Sequence, residues 1–193
     1  MLRIALAFAL LLSPLFGHAH EVTDMGRGFV SGFMHPLLGL DHVLAMLAVG
    51  IWGAQLGRPA IWVLPVAFPM MMAFGGVLGV LGLPFPGVEV GIALSALVLG
   101  VLVALRKQIA LPVAMVVVGI FALCHGHAHG TEIPEAANPA TFALGFVLAT
   151  GALHTLGIGL GLFNDFRRGM QLLRAGGGLI ALGGLYYLML QVR

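Results

Sequence analysis

Long apolar blocks separated by short polar stretches run along almost the whole chain. Six of them follow the first 26 residues, and most are close to the roughly 20 residues with which an α-helix crosses a bilayer. Their approximate bounds are 27–56, 60–83, 88–105, 109–129, 140–163 and 170–190. This pattern predicts an all-α membrane protein, a bundle of about six transmembrane helices.

The first block, 27–56, is too long for one straight transmembrane helix. It contains Pro36, which removes a backbone hydrogen-bond donor, and Gly39, a weak helix former. We therefore expect a helix break near these residues, so that the block begins as a re-entrant or interfacial segment.

The start of the chain has the organisation of a secretory signal peptide. A basic start precedes an apolar core over 4–12, and Gly17 with Ala19 fits a cleavage site. We predict a signal peptide at 1–19 and a single polytopic membrane domain at 20–193. The alternative is an uncleaved first span.

The charges between the blocks orient the bundle. Basic residues concentrate in alternate loops, and the positive-inside rule places those loops in the cytoplasm. They are Arg58, Arg106, Lys107, Arg167 and Arg168. We therefore expect a bacterial inner-membrane protein whose mature N-terminus, Glu89 and loop 130–139 face the periplasm.

The composition excludes several classes of protein. Hydrophobic residues make up 60% and charged residues 8% of the 193 residues, whereas soluble chains carry about 25% charged residues. The basic residues are scattered, so the net charge of +2 does not indicate nucleic-acid binding. No Walker-type loop is present, which argues against ATP-driven chemistry, and the single cysteine, Cys124, excludes an intrachain disulfide.

Glycine is unusually frequent, at 29 of 193 residues, which is about double its ordinary usage. Pairs of glycines four positions apart predict helix faces that allow close approach of a neighbouring helix. Such pairs are Gly75 and Gly79, Gly87 and Gly91, and Gly157 and Gly161.

Two imidazoles and a carboxylate, His35, Asp41 and His42, stand close together in an otherwise uncharged stretch. An Asp at membrane depth costs roughly 2.5–3.5 kcal/mol on insertion, and such residues are usually functional. On a straight helix the two histidines would lie about 10 Å apart along the axis, so only a break would bring His35 toward the other two. Met46, one turn beyond His42, adds a soft thioether donor. A lone histidine would more often be a packing residue.

A second cluster lies at the outer end of the fourth block. If this stretch is helical, His125 and His129 are neighbours at i,i+4 and Glu132 continues the stripe, which makes a chelating set. His127 points to the other side, and it is either a lower-affinity docking group or a solvated surface residue. Cys124 is interpreted as a small buried residue rather than as a thiolate ligand.

Two isolated residues complete the candidate set. Glu89 opens the third block on the outer side, and His154 lies about 20 Å into the fifth block, toward the cytoplasm. Each has a plain alternative: an interfacial charge in water for Glu89, and a hydrogen bond between helices for His154. Imidazole with carboxylate suits Ni²⁺, Co²⁺, Cu²⁺ and Zn²⁺, and ligand type alone does not choose among them.

The two clusters resemble the two signatures of the HupE/UreJ family. The first reads His35-x₅-Asp41-His42 followed by Ala45-Met46-x₂-Val49-Gly50-x-Trp52, and the second reads His125-Gly126-x-Ala128-His129-Gly130-x-Glu132. The resemblance covers essentially the whole chain. His127 falls at a variable position of the second signature, and Cys124 stands where the family more often has an aromatic residue.

The resemblance implies a secondary permease, with no catalytic residue and no resident cofactor. It would take up Ni²⁺, or Co²⁺, across the inner membrane for the maturation of urease or hydrogenase, with a functional link to their accessory proteins. Its partners would be the divalent ion and membrane lipid, and not nucleic acid; association into a homo-oligomer stays open. The expected order of passage is Glu89, Glu132, His125 and His129, then His35, Asp41, His42 and Met46, then His154.

Three other functions compete with transport. An intramembrane zinc hydrolase would hold Zn²⁺ with His and Asp and keep a position open for water, although only Glu132 is a candidate acid or base. A b-type haem protein would use histidines from two helices, which the clustered carboxylates argue against. A membrane metal sensor or storage protein that moves no ions is the third.

Overall fold

The computed structural model describes residues 19–132 and 138–192. Within these ranges the chain forms helices and no strand, which confirms the predicted all-α class. The helices are α1 (Ala19–Leu38), α2 (Leu40–Leu56), α3 (Ala60–Val80), α4 (Val88–Leu105), α5 (Leu111–Thr131), α6 (Pro139–Gly161) and α7 (Arg167–Gln191), with a short 3-10 helix at Leu162–Asp165. Residues 1–18 of the predicted signal peptide lie outside the described residues, and the signal peptide stays a prediction.

The helices match the predicted spans. Helices α3 to α7 are each long and apolar enough to cross a membrane, with mean hydropathy between 1.3 and 2.5 over their most apolar stretches. Helix α1 from Gly26 and helix α2 together make a sixth, broken span. The chain is a multi-pass membrane protein.

The first span breaks at Gly39, where the axis bends by 79°. Gly39 is extended, with φ −85° and ψ 106°, and it separates the last turn of α1, which contains Pro36, from the first turn of α2. Asp41 favours a new helix start here, because a carboxylate is stabilised at a helix N-terminus. The expected break near Pro36 and Gly39 is confirmed.

Both halves of the broken span pack along α6 and run in its direction. Gly32 of α1 lies against the backbone of Phe142, and Gly50 of α2 lies against the backbone of His154 and Ile158. A Cβ at Gly32 or Gly50 would overlap those atoms. The break therefore faces the middle of α6, and the end of α1 and start of α2 meet there.

Glycines also join two further helix pairs, in each of which a Cβ would overlap the neighbouring backbone. The positions are Gly75, Gly79, Gly126 and Gly130 between α3 and α5, and Gly100, Gly177 and Gly184 between α4 and α7. The predicted glycine faces are thus confirmed at Gly75 and Gly79 and, between α6 and α2, at Gly157 and Gly161. A Cβ added at Gly87 would meet no atom of another helix within 4 Å, and one added at Gly91 would meet the side chain of Cys124.

The apolar core lies between the helices and includes Phe68 and Phe146, which pack against histidines of α5. Trp52, Leu64 and Leu99 are fully buried there, and the Trp52 indole N–H donates to the Lys107 carbonyl at 3.0 Å. Large apolar side chains such as Trp62 and Met70 remain exposed on the outer faces, as a lipid-facing surface requires. Buried apolar side chains thus fill the space between the helices, and exposed ones form the outer surface.

Candidate metal centre

Five side chains with metal-binding chemistry meet where the break between α1 and α2 faces the end of α5. They form two groups of three within the described residues, and in each group the ligand atoms lie within 4.8 Å of one another. We call His42, His125 and His129 the buried triad, and His35, His129 and Glu132 the surface triad. His129 belongs to both, so the two triads are adjacent candidate sites that have one side chain in common.

Each triad draws residues from both sequence clusters. The expected order had His125 and His129 in an outer vestibule and His35 beside Asp41 and His42 farther in. The structure instead places His35 beside Glu132 at the surface and leaves His125 with no exposed area. The 79° bend explains the difference, because it separates the last turn of α1 from the first turn of α2.

The buried triad consists of three imidazoles in contact. The His42 ring centroid lies 4.7 Å from that of His125 and 4.5 Å from that of His129. His125 and His129 share a face of α5 because they are four residues apart, and His42 reaches them from the first turn of α2. Three neutral imidazoles suit a divalent first-row ion.

Asp41 sets the orientation of His42. Its Oδ1 accepts a hydrogen bond from His42 Nδ1 at 2.8 Å and a second one from the His42 backbone N–H at 2.9 Å. An ionised carboxylate only accepts, so Nδ1 carries the proton and Nε2 keeps its lone pair. Nε2 is buried without a hydrogen-bond partner. This is the carboxylate–histidine arrangement that orients metal ligands, and Asp41 acts here through His42.

Ser95 orients His125 in the same way as Asp41 orients His42. Ser95 was not among the residues predicted from the sequence. The Ser95 hydroxyl donates to the Ile92 carbonyl of its own helix at 2.6 Å and lies 2.8 Å from His125 Nε2. With its proton directed to Ile92, the hydroxyl accepts from Nε2–H, which leaves Nδ1 of His125 unprotonated and without a partner. The sequence did contain one sign of such a role, because Ser95 is a single hydroxyl in the middle of the apolar block 88–105.

The surface triad carries a carboxylate. Glu132 Oε2 lies 3.1 Å from His35 Nε2 and 3.7 Å from His129 Nδ1, and the Glu132 side chain is 52% exposed. The His129 imidazole, and then that of His35, lowers the pKa of Glu132 below its ordinary value against the opposing effect of partial burial. Glu132 therefore offers an ionised oxygen ligand at the entrance to the buried triad.

Phenylalanines surround the triads, and these too were not singled out from the sequence. Phe146 lies 4.3 Å from His129, Phe142 lies 5.7 Å from His35, and Phe68 lies 5.7 Å from His125, all between ring centroids. A largely apolar cavity of about 340 Å³ between α3, α5 and α6 reaches His129 from the side. These apolar walls limit water and strengthen electrostatic interactions at the ligands.

Comparison with known proteins identifies the family. The family described as "HupE / UreJ protein" matches residues 6–187. The chain is 47% identical to Protein HupE of Rhizobium leguminosarum bv. viciae over 182 residues, which cover 94% of this chain and 95% of that protein. The chain belongs to the HupE/UreJ family. No solved structure matches it.

HupE/UreJ proteins are transporters and not enzymes, so the prediction that this chain is not an enzyme is confirmed. Family membership supports a role in nickel or cobalt transport and a divalent metal ion as substrate. The zinc-hydrolase alternative loses its support.

The remaining predicted residues of this HupE/UreJ chain lie outside the triads. His127 Nε2 is 2.7 Å from the Leu83 carbonyl and ties α5 to the α3–α4 connection. Glu89 is exposed in the first turn of α4 and has no hydrogen bond or ion pair among the described residues. Met46, one turn beyond His42, is fully buried in the apolar core.

Cys124 and His154 are both buried. Cys124 packs with Ile92 and Ala128, as expected of a small buried residue. His154 lies on α6 with its ring centroid 5.3 Å from that of Phe68, on a different helix from the triads.

Proposed function

We propose that this protein takes up Ni²⁺, or Co²⁺, across the bacterial inner membrane by secondary transport. The observation that carries the proposal is the sharing of His129 between a surface triad and a buried triad. A protein that only stores or senses a metal needs one closed site, whereas transport needs sites that pass an ion on.

The shared ligand defines the transfer step. A divalent ion binds first at Glu132, His35 and His129, where the carboxylate is exposed. It then exchanges Glu132 and His35 for His42 and His125 while it keeps His129. Because each set has only three ligands, and two of them can be exchanged, the ion can both enter and leave the site. Conduction requires both.

The membrane potential supplies the driving force. With the basic loops in the cytoplasm, the triads lie toward the periplasmic side, and an inside-negative potential gives a divalent cation roughly 4.6 kcal/mol per 100 mV inward. Uptake down this gradient needs no ATP.

The destination of the ion is the maturation of urease or hydrogenase, through the accessory proteins of those enzymes. Family membership supports this part of the proposal. The periplasmic N-terminus, the inner-membrane location and a homo-oligomeric state stay predictions.

The test is uptake of radioactive nickel by a bacterium that lacks its own nickel transporters, at nanomolar nickel. Wild-type protein should accumulate nickel, and His129→Ala should abolish accumulation because it removes a ligand from both triads. His127→Ala is the matched control, since it removes a histidine of the same helix that lies in neither triad. Wild-type protein that is present in the membrane and binds nickel without accumulating it would overturn transport in favour of sensing or storage.

A further inference from the structure

Two polar side chains on α6 are buried at a deeper level than the triads. His154 is 1% exposed and Thr150 is fully buried. Neither ring nitrogen of His154 nor the Thr150 hydroxyl makes a hydrogen bond of good geometry. The two residues are four positions apart and share one face of α6. Unpartnered polar groups inside a membrane span are unfavourable and usually functional.

Helix α3 adds a third polar group at this level. Pro69 has no backbone N–H, so the carbonyl of Pro65, four residues earlier, has no helical hydrogen-bond donor. That carbonyl lies beside the His154 imidazole. One imidazole nitrogen, one hydroxyl and one released carbonyl oxygen therefore gather between α6 and α3, and each of them is a neutral ligand for a divalent cation.

Phe68 connects this set to the triads. Its ring centroid lies 5.7 Å from that of His125 in the buried triad and 5.3 Å from that of His154. Phe68 is fully buried and sits on α3 between Pro65 and Pro69. A single aromatic ring thus touches both the buried triad and His154.

We infer that His154, Thr150 and the Pro65 carbonyl form an inner station for the transported divalent cation, reached from the buried triad past Phe68. This inference rests on the proposed function and extends it by one step. The inner station has one nitrogen and two uncharged oxygens, so it holds a first-row ion more weakly than the three imidazoles do. A weaker site farther along the path favours release toward the cytoplasm.

The test separates binding from transport in two variants. Thr150→Val replaces the hydroxyl with a methyl group of similar size, and His154→Gln retains a polar group of similar length. Both should leave the nickel Kd of the purified protein within about twofold of wild type, because the triads are intact. The maximal uptake rate should fall by about tenfold for His154→Gln and by about threefold for Thr150→Val, because a ligand of the second step is lost.

Matched controls make the same chemical changes at residues outside the inner station. Thr155→Val makes the same chemical change on α6 at an exposed position, where the hydroxyl bonds only to the Gly151 carbonyl. His127→Gln makes the same change as His154→Gln outside every proposed site. Both controls should transport nickel as the wild type does.

The outcomes distinguish this inference from the proposed function. If Thr150→Val and His154→Gln transport at the wild-type rate while His129→Ala does not transport, the inner station is wrong and the proposed function stands. Loss of nickel binding along with uptake in both variants would also overturn the inner station, because the residues would then support the triads. If His154→Gln does not reach the membrane, Thr150→Val decides. If the wild type itself moves no nickel, both proposals fail.

Discussion

The Nδ1 atom of His42 lies 2.8 Å from the Oδ1 atom of Asp41, the residue that precedes it in the chain. Because both residues belong to the first turn of α2, the bend at Gly39 orients them together. The hydrogen bond fixes the proton on Nδ1 and leaves the lone pair of the buried Nε2 free, on a ring that lies against His125 and His129. Asp41 therefore serves as the hydrogen-bond partner of His42, the candidate ligand that follows it in the sequence.

Asp41→Asn should weaken nickel binding and uptake while the protein remains in the membrane. An amide can donate to Nδ1 as well as accept from it, so the variant no longer selects the Nδ1–H tautomer. Loss of such a partner typically lowers metal affinity by about 10–100-fold. The measurement is the KM of nickel uptake together with the nickel Kd of the purified protein.

Asp165→Asn is the control for this change, since Asp165 is exposed in the short 3-10 helix after α6 and belongs to neither triad. A wild-type Kd in Asp41→Asn would contradict the orienting role.

Ser95→Ala should raise the KM for nickel by about threefold to tenfold, because His125 loses the acceptor that holds its Nε2–H. The maximal rate should change less than the KM. Kinetic uptake measurements over a range of nickel concentrations would separate the two quantities.

Thr155→Ala serves as the comparison for Ser95→Ala. It removes a hydroxyl that also bonds a carbonyl of its own helix but has no histidine partner. Equal kinetics in the two variants would show that Ser95 has only a local role in α4.

Gly39→Ala should abolish or strongly reduce uptake. Alanine can adopt the backbone conformation of Gly39, but its Cβ would lie 2.8 Å from His42 Nδ1 and 3.0 Å from Asp41 Oδ1. The hydrogen-bonded pair would have to move, and the buried triad would lose the position of His42. Nickel uptake should be compared with that of Gly151→Ala, because Gly151 has no neighbour within 4 Å of an added Cβ. Unimpaired uptake by Gly39→Ala would show that the Asp41–His42 pair tolerates displacement.

Glu132 should remain a working ligand as the external pH falls toward 5. The His129 imidazole, and then that of His35, lowers the pKa of Glu132 below its ordinary value. A carboxylate whose pKa is lowered stays ionised to a lower pH, and the ionised form is the one that binds a metal. Glu132→Gln should therefore raise the KM for nickel by a similar factor at pH 7 and at pH 5. A KM difference between wild type and Glu132→Gln that disappears between pH 7 and pH 5 would show that the carboxylate is protonated in this range and would contradict the lowered pKa.

The transmembrane helices could be predicted because a chain segment that crosses a membrane alone must form a helix. Each apolar block must satisfy its hydrogen bonds internally, so α4 and α5 begin and end within about two residues of the expected bounds. The break near Pro36 and Gly39 followed from elementary helix chemistry. The histidines of the triads were recognisable because ionisable groups are rare at membrane depth.

The grouping of those histidines could not be predicted. Which triad His35 joins depends on the direction of α1 after the bend, and that direction is set by packing of Gly32 against α6. Ser95 and Phe68 carry no sequence signal of their own, since each becomes meaningful only when α4 or α3 is placed beside His125. These are tertiary relationships between helices far apart in the chain.

Close glycine contacts join α4 with α7 and also form two groups around the triads, α3 with α5, and α1 and α2 with α6. Every proposed cation position draws ligands from both groups. The surface triad combines α1 with α5, the buried triad combines α2 with α5, and the inner station combines α6 with α3. A rocking of one group against the other would therefore remake all three coordination spheres in a single movement.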